Sequence, residues 1–121
     1  MLVAARMREL VGLLSGCRYR FHDEKALQDG LEFVLRTAGV PYEREVSLGD
    51  TGRPDFMVEG VVIEVKIDKN LTAVTRQLHR YACHSSVTGV ILVTSRMRFQ
   101  NLPSLLEEKP VRVVSLLGSI L

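Results

Sequence analysis

The sequence predicts an α/β fold with a mixed central sheet flanked by helices and an extra helix at the N-terminal end. Three stretches carry this expectation. Arg53 to Lys66 holds two apolar runs separated by Glu59-Gly60, and a two-residue connection ending in Gly is a hairpin signal. Gly89 to Ser95 is continuously apolar and β-branched, as a strand buried on both faces would be. Residues 70–85 between them repeat apolar side chains at helical spacing. The second hairpin strand and the later strand then become parallel neighbours in a βαβ crossover.

The whole chain sets outer bounds. With 121 residues it is expected to be one domain, residues 1–121, with a core over about 22–116. Apolar residues make up 46% and charged residues 25%, an ordinary balance for a folded domain with no membrane span. Met1 to Cys17 mixes Arg6, Arg8 and Glu9 with apolar residues and reads as an amphipathic helix, not a secretory signal. Cys17 and Cys83 show neither close spacing nor a zinc-like pattern, which points to a reduced, intracellular and cytoplasmic location. A net charge of +2 permits a nucleic-acid partner without demanding one, since clustering matters more than the total.

Taken in order, residues 2–15 place Leu2, Ala5, Met7, Leu10, Val11 and Leu14 on one helical stripe, with Gly16 as the stop. The stripe can pack on its own domain or on a partner subunit. Residues 22–38 form the clearest helix, capped by Asp23 (or His22) and ended by Gly39-Val40-Pro41. Its stripe is Leu27, Leu31, Val34, Leu35 and Ala38. Glu24 falls close to the middle of that stripe and Glu32 falls well away from it, toward solvent. An inward Glu24 is a candidate site acid; the alternative is that it only complements the helix N-terminal dipole.

Residues 42–48 alternate enough for a strand, and Gly49-Asp50-Thr51-Gly52 reads as a loop before the hairpin. In the helix 70–85, capped by Asn70 or Thr72, Leu71, Val74, Leu78 and Ala82 face the core, with Gln77 and Tyr81 on the flank. Arg76 and Arg80 stand on its outer side with Lys69 nearby, a basic stripe of the kind a polyanion needs, although a solvated helix face would look the same. Arg96, Arg98 and Gln100 follow the central strand. Pro103–Lys109 is expected as a short helix and Val111–Leu116 as a last strand.

The hairpin also carries chemistry. With Val58 facing Val61, counting outward sets Asp55 opposite Glu64. Val62, Glu64 and Lys66 then share one face, and Val61, Ile63, Val65 and Ile67 share the other, wholly aliphatic one. Facing carboxylates with Cβ atoms about 5 Å apart repel, most of all where water is scarce. A hard divalent cation relieves that repulsion, and Lys66 can reach the same spot. An Asp at a strand start plus a Glu–Lys pair on a half-exposed sheet would give the same letters.

From Glu24 onward the order is αβββαβ. With Pro54-Asp55 followed by Glu64-Val65-Lys66 on the hairpin, the chain resembles the PD-(D/E)XK nuclease superfamily and its restriction-endonuclease-like fold, over about Asp23 to Ser95. Gln77 and Tyr81 match the Gln-x-x-x-Tyr element of RecB-like nucleases in that superfamily, and small Holliday-junction resolvases are similar in size. The resemblance implies Asp55 and Glu64 as metal-binding acids, the Val65 carbonyl as a further ligand, and Mg2+ or Mn2+ as the cofactor. It implies Lys66 as the group that positions or activates the attacking water. Glu24, with Glu32 as its rival, would be the helix acid. Gln77 and Tyr81 would line the site, and Arg53, Lys69, Arg76 and Arg80 would meet substrate.

The expected function is therefore a metal-dependent deoxyribonuclease of a bacterial, archaeal or phage-infected cell. It would be an endonuclease on structured or branched DNA, working as a homodimer through residues 2–15 and Leu116–Leu121. The alternatives are a non-catalytic nucleic-acid-binding or assembly module that keeps the fold, and a nuclease acting on RNA.

Overall fold

The computed structural model describes residues 2–67, 70–95 and 102–116. Helices α1, α2 and α3 span Leu2–Ser15, Glu24–Thr37 and Leu71–Cys83. Strands β1 to β6 are Glu43–Arg44, Phe56–Val58, Val61–Val65, Gly89–Thr94, Leu105–Leu106 and Lys109–Ser115. The strands make one mixed sheet in the order β1-β2-β3-β4-β6-β5. The β3–β4 and β4–β6 pairs are parallel, and the remaining pairs are antiparallel. The fold is α/β, and the order from α2 to β4 is the one read from the sequence. No helix among the described residues is long and apolar enough to cross a membrane.

Two hydrophobic layers cover the sheet. On one face Met7, Leu10 and Leu14 of α1 and Leu27, Leu31 and Leu35 of α2 pack with Val61, Ile63 and Val65, and with Ile91 and Val93. On the other, Val74, Leu78, Tyr81 and Ala82 of α3 pack with Val62, Val90, Leu92 and Val111. Strands β3 and β4 are thus buried on both sides, which is why their sequences run apolar instead of alternating. Helix α1 packs on β4 and β6 of its own chain. There a Cβ at Gly89 would strike the Met7 sulfur.

Local chemistry explains where the main elements begin. Asp23 has extended backbone angles, and its carboxylate accepts the Ala26 N–H at 2.8 Å. Asn70 does the same for α3, accepting the Ala73 N–H at 3.1 Å. In the β2–β3 turn Glu59 and Gly60 both take positive φ, 48° and 87°. Two left-handed turn residues match the right-handed twist of the paired strands. The register follows, with Val58 opposite Val61 and Phe56 opposite Ile63.

Four expectations change. The strand expected over 42–48 shrinks to Glu43–Arg44, because Glu45 turns to φ 56° and leaves the ladder. Residues 103–109 are not a helix: Leu105–Leu106 pair antiparallel with Lys109–Pro110 around a turn in which Glu107 and Glu108 have φ 51° and 63°. Helix propensity in Leu-Leu-Glu-Glu loses to pairing with an edge of the sheet. The last strand accordingly starts earlier, at Lys109. Finally, Glu32 does not point to solvent. It accepts from Tyr42 Oη at 2.7 Å and pairs with Arg44 at 2.7 Å, whose guanidinium lies over the Phe56 ring. Arg96, Arg98 and Gln100 lie outside the described residues.

Gly60 is required twice over, by its φ and by crowding. A Cβ there would come within 2.9 Å of Thr88 Oγ1 and 3.2 Å of the Ser86 carbonyl. Gly39 has a similar φ, 72°, with nothing within 4 Å. Gly39→Ala should therefore cost about 1 kcal/mol from backbone strain alone. Gly60→Ala should cost roughly 2–4 kcal/mol because the clash adds to it. Denaturant unfolding of both variants reads the difference, and equal losses would remove the steric role of the turn.

Candidate functional site

One residue pair beyond Phe56 and Ile63, Asp55 comes opposite Glu64. Each carboxylate takes an N–H from the other strand: Glu64 Oε1 accepts from Asp55 N at 3.0 Å, and Asp55 Oδ2 accepts from Val65 N at 2.7 Å. The side chains thus continue the ladder where β2 has ended. On its other side the Asp55 carbonyl accepts the Glu45 N–H at 3.0 Å, so Asp55 is held from two directions.

Lys66 follows directly. Its backbone N–H donates to the Val93 carbonyl at 3.0 Å, and its Nζ lies 3.2 Å from Glu64 Oε2. Glu64 is 2% exposed and Lys66 15%, so this is a desolvated pair. Glu24, the first residue of α2, sends Oε2 to the Ile67 N–H at 2.9 Å. The Asp23 cap aims it there by starting the helix one residue earlier. Glu24, Asp55, Glu64 and Lys66 therefore gather where β3 ends, with Val65 fully buried between the last two. Glu32 stands apart, committed to Arg44 and Arg36.

From the opposite layer α3 brings Gln77 and Tyr81. Gln77 Nε2 donates to Tyr81 Oη at 2.9 Å. Tyr81 is fully buried, deeper than its expected place on the helix flank. Gly52, at φ 129°, lets the preceding loop lie against the Tyr81 ring, where a Cβ would sit 3.2 Å from Cε1. Burial, followed by the nearby Glu64 charge, pushes the Tyr81 phenol above its ordinary pKa, so it stays a neutral hydroxyl.

Asp55 and Glu64 hold their protons unusually well. Burial raises the Asp55 pKa first, the Val65 N–H and the Lys66 charge oppose it, and the charges of Glu24 and Glu45 add to it. Glu64 is pushed up to about 7, again by burial first and by the Asp55 charge second, with Lys66 pulling the other way. Glu45 is a residue the sequence reasoning missed. It is an exposed acid beside Asp55, and no pattern marks it because its position depends on a left-handed kink.

The expected basic residues do not converge. Arg53 is exposed, with Nη1 4.0 Å from Glu45 Oε1. Arg80 is exposed near the Tyr81 hydroxyl. Arg76 instead lines an open groove with Leu71, Thr75, His79 and Leu106, toward β5. Lys69 lies outside the described residues. Among the described residues, Glu24, Asp55 and Glu64 do not bring one oxygen each within 4.8 Å of the others. Asp55 and Glu64 are the close pair, and Glu24 is a neighbour.

No protein-family model, curated protein or solved structure matches the chain.

A buried acid with a raised pKa makes a signed prediction. Its stabilising contribution is present below the unfolded value of 4.5 and is lost as pH climbs to about 7. Without added metal, unfolding free energy should therefore fall across that window by roughly 1–3 kcal/mol. Glu64→Gln should flatten the slope. Urea titrations at closely spaced pH values check this, and an unchanged slope in the variant would remove Glu64 as its source.

Proposed function

We propose that the chain is a metal-dependent nuclease of the PD-(D/E)XK superfamily, hydrolysing DNA phosphodiester bonds as an endonuclease on structured or branched DNA. The observation that carries this is the opposed pair of half-buried Asp55 and buried Glu64, bracketed by two backbone N–H bonds, with the Lys66 ammonium 3.2 Å from Glu64. A stable core has little physical reason to bury two facing acids unless something positive is to sit between or beside them. Lys66 supplies one charge against two.

The donors fit a hard divalent ion. They are all oxygen, they come from neighbouring segments of one hairpin, and burial keeps both pKa values raised, with the Asp55 charge adding at Glu64 and the Glu24 and Glu45 charges adding at Asp55. Asp55 and Glu64 would hold Mg2+ or Mn2+, with the Val65 carbonyl as a further ligand. Glu24 would act from beyond them, through water. The bound ion supplies charge neutralisation on phosphoryl oxygens and a lower pKa for water at neutral pH.

The chain's own groups do the rest. Lys66 is desolvated enough to hold a water or a phosphoryl oxygen by a charge-assisted hydrogen bond. Gln77, fixed on the Tyr81 hydroxyl, orients what enters from the α3 side. Arg80 and Arg53, both exposed, would meet the phosphate backbone. Cutting both strands of a duplex or a branch takes two such sites, so a homodimer belongs to this proposal.

Plasmid, single-stranded and branched DNA incubated with Mg2+ or Mn2+ test it. Wild type should cleave at least one substrate, and Lys66→Ala should be at least about 100-fold slower. Asp55→Asn, which keeps shape and loses charge, should be as inactive. Equal cleavage by wild type and both variants would overturn the assignment. Binding of DNA without cleavage would identify a non-catalytic module instead.

A further inference from the structure

We infer that His79, Cys83 and Glu107 form a second cation site, suited to zinc or a similar borderline-to-soft divalent ion, where α3 meets the β5–β6 hairpin. Among the described residues these three offer one ligand atom each, all within 4.8 Å of one another. His79 Nε2 lies 2.9 Å from Glu107 Oε1, and Cys83 Sγ lies 3.8 Å from His79 Nδ1.

The chemistry separates this site from the acid pair. A thiolate, an imidazole and a carboxylate are a zinc-type donor set, whereas Asp55 and Glu64 offer oxygen only. His79 and Cys83 are four residues apart on α3, so they project from one helix face. Glu107 reaches them because residues 105–110 form a hairpin; in a helix it would not be delivered there. Ligand bonds of about 2.0–2.3 Å in a tetrahedral site put donor atoms roughly 3.3–3.8 Å apart. Within 4.8 Å of one another, the three reach that spacing by a small inward shift.

All three side chains are exposed, so they can close on an ion without repacking the core, and a water can complete four-coordination. In the ion-free arrangement the imidazole uses one nitrogen toward Glu107 and the other toward Cys83. One of these becomes the ligand, and the ring turns to admit the third partner. The consequence reaches inward. The ion would tie the hairpin to α3, the helix that carries Gln77 and Tyr81. The inference does not rest on nuclease activity.

Cobalt(II), a coloured stand-in for zinc, tests it on the metal-free full chain. The expected result is one thiolate-bound equivalent, read by a thiolate-to-cobalt charge-transfer band and tetrahedral d–d absorption, both displaced by zinc. Cys83→Ser should abolish the charge-transfer band, and His79→Gln and Glu107→Gln should each weaken binding at least about tenfold. Cys17→Ser should leave the charge-transfer titration unchanged. All these positions except the half-buried Cys17 are exposed, and matching far-UV circular dichroism confirms the fold in each case. No charge-transfer band, a band lost with Cys17, or affinity indifferent to His79 and Glu107 would overturn the site.

Discussion

Two backbone N–H groups, those of Asp55 and Val65, hold two carboxylates face to face, Glu64 buried and Asp55 half-buried. Each hydrogen bond stabilises a charge that burial destabilises first, and neighbouring acids next: Asp55 at Glu64, and Glu24 with Glu45 at Asp55. The balance is local and tight. It depends on β2 beginning only at Phe56, so that the Asp55 and Glu64 side chains take over from the ladder, and on Glu59 and Gly60 turning the chain in two residues. One residue more or less in that turn would send Glu64 to the opposite face of β3, among the side chains that pack on α1 and α2.

The rest of the sheet keeps that point rigid and dry. Strand β3 sits between β2 and β4, with α1 and α2 over one face and α3 over the other. The Lys66 N–H extends the parallel pairing with β4 one residue past Val65, and Glu24 caps the next N–H from the α2 side. The acid on α2 is therefore doing backbone work at the end of β3 as well as adding negative charge near Asp55. Tyr81 closes the α3 side, and Gly52 lets a loop lie flat against it. Residues from both layers thus converge on one sheet end.

Much of this was legible in the sequence. Asp23 before a helical stripe and Asn70 before another are short-range caps whose effect is complete within three residues. The Glu59-Gly60 turn is equally local, and register propagates from it without further information. The inward aim of Glu24 follows from helical periodicity. The failures share a different cause. Glu45 and Glu107–Glu108 adopt positive φ without glycine, against residue preference, in turns fixed by the pairings beside them. Glu32 was placed in solvent by periodicity, which does not register Arg44 reaching across from the first strand to meet it.

The two candidate ion sites divide along the same line. Asp55, Glu64 and Lys66 sit within one hairpin, so turn chemistry and strand alternation were enough to set them on one face. How deeply they are buried was not readable, because that depends on α3 lying over them, and burial is what raises the Glu64 pKa to about 7. His79 and Cys83 also share a helix face by spacing alone. Their third partner does not follow from any local pattern. Residues 105–108 have side chains that favour a helix, and it took the exposed edge of β6 to draw them into a strand and carry Glu107 to α3. Short-range chemistry specifies caps, turns and faces; contacts between segments far apart in the chain decide which faces meet.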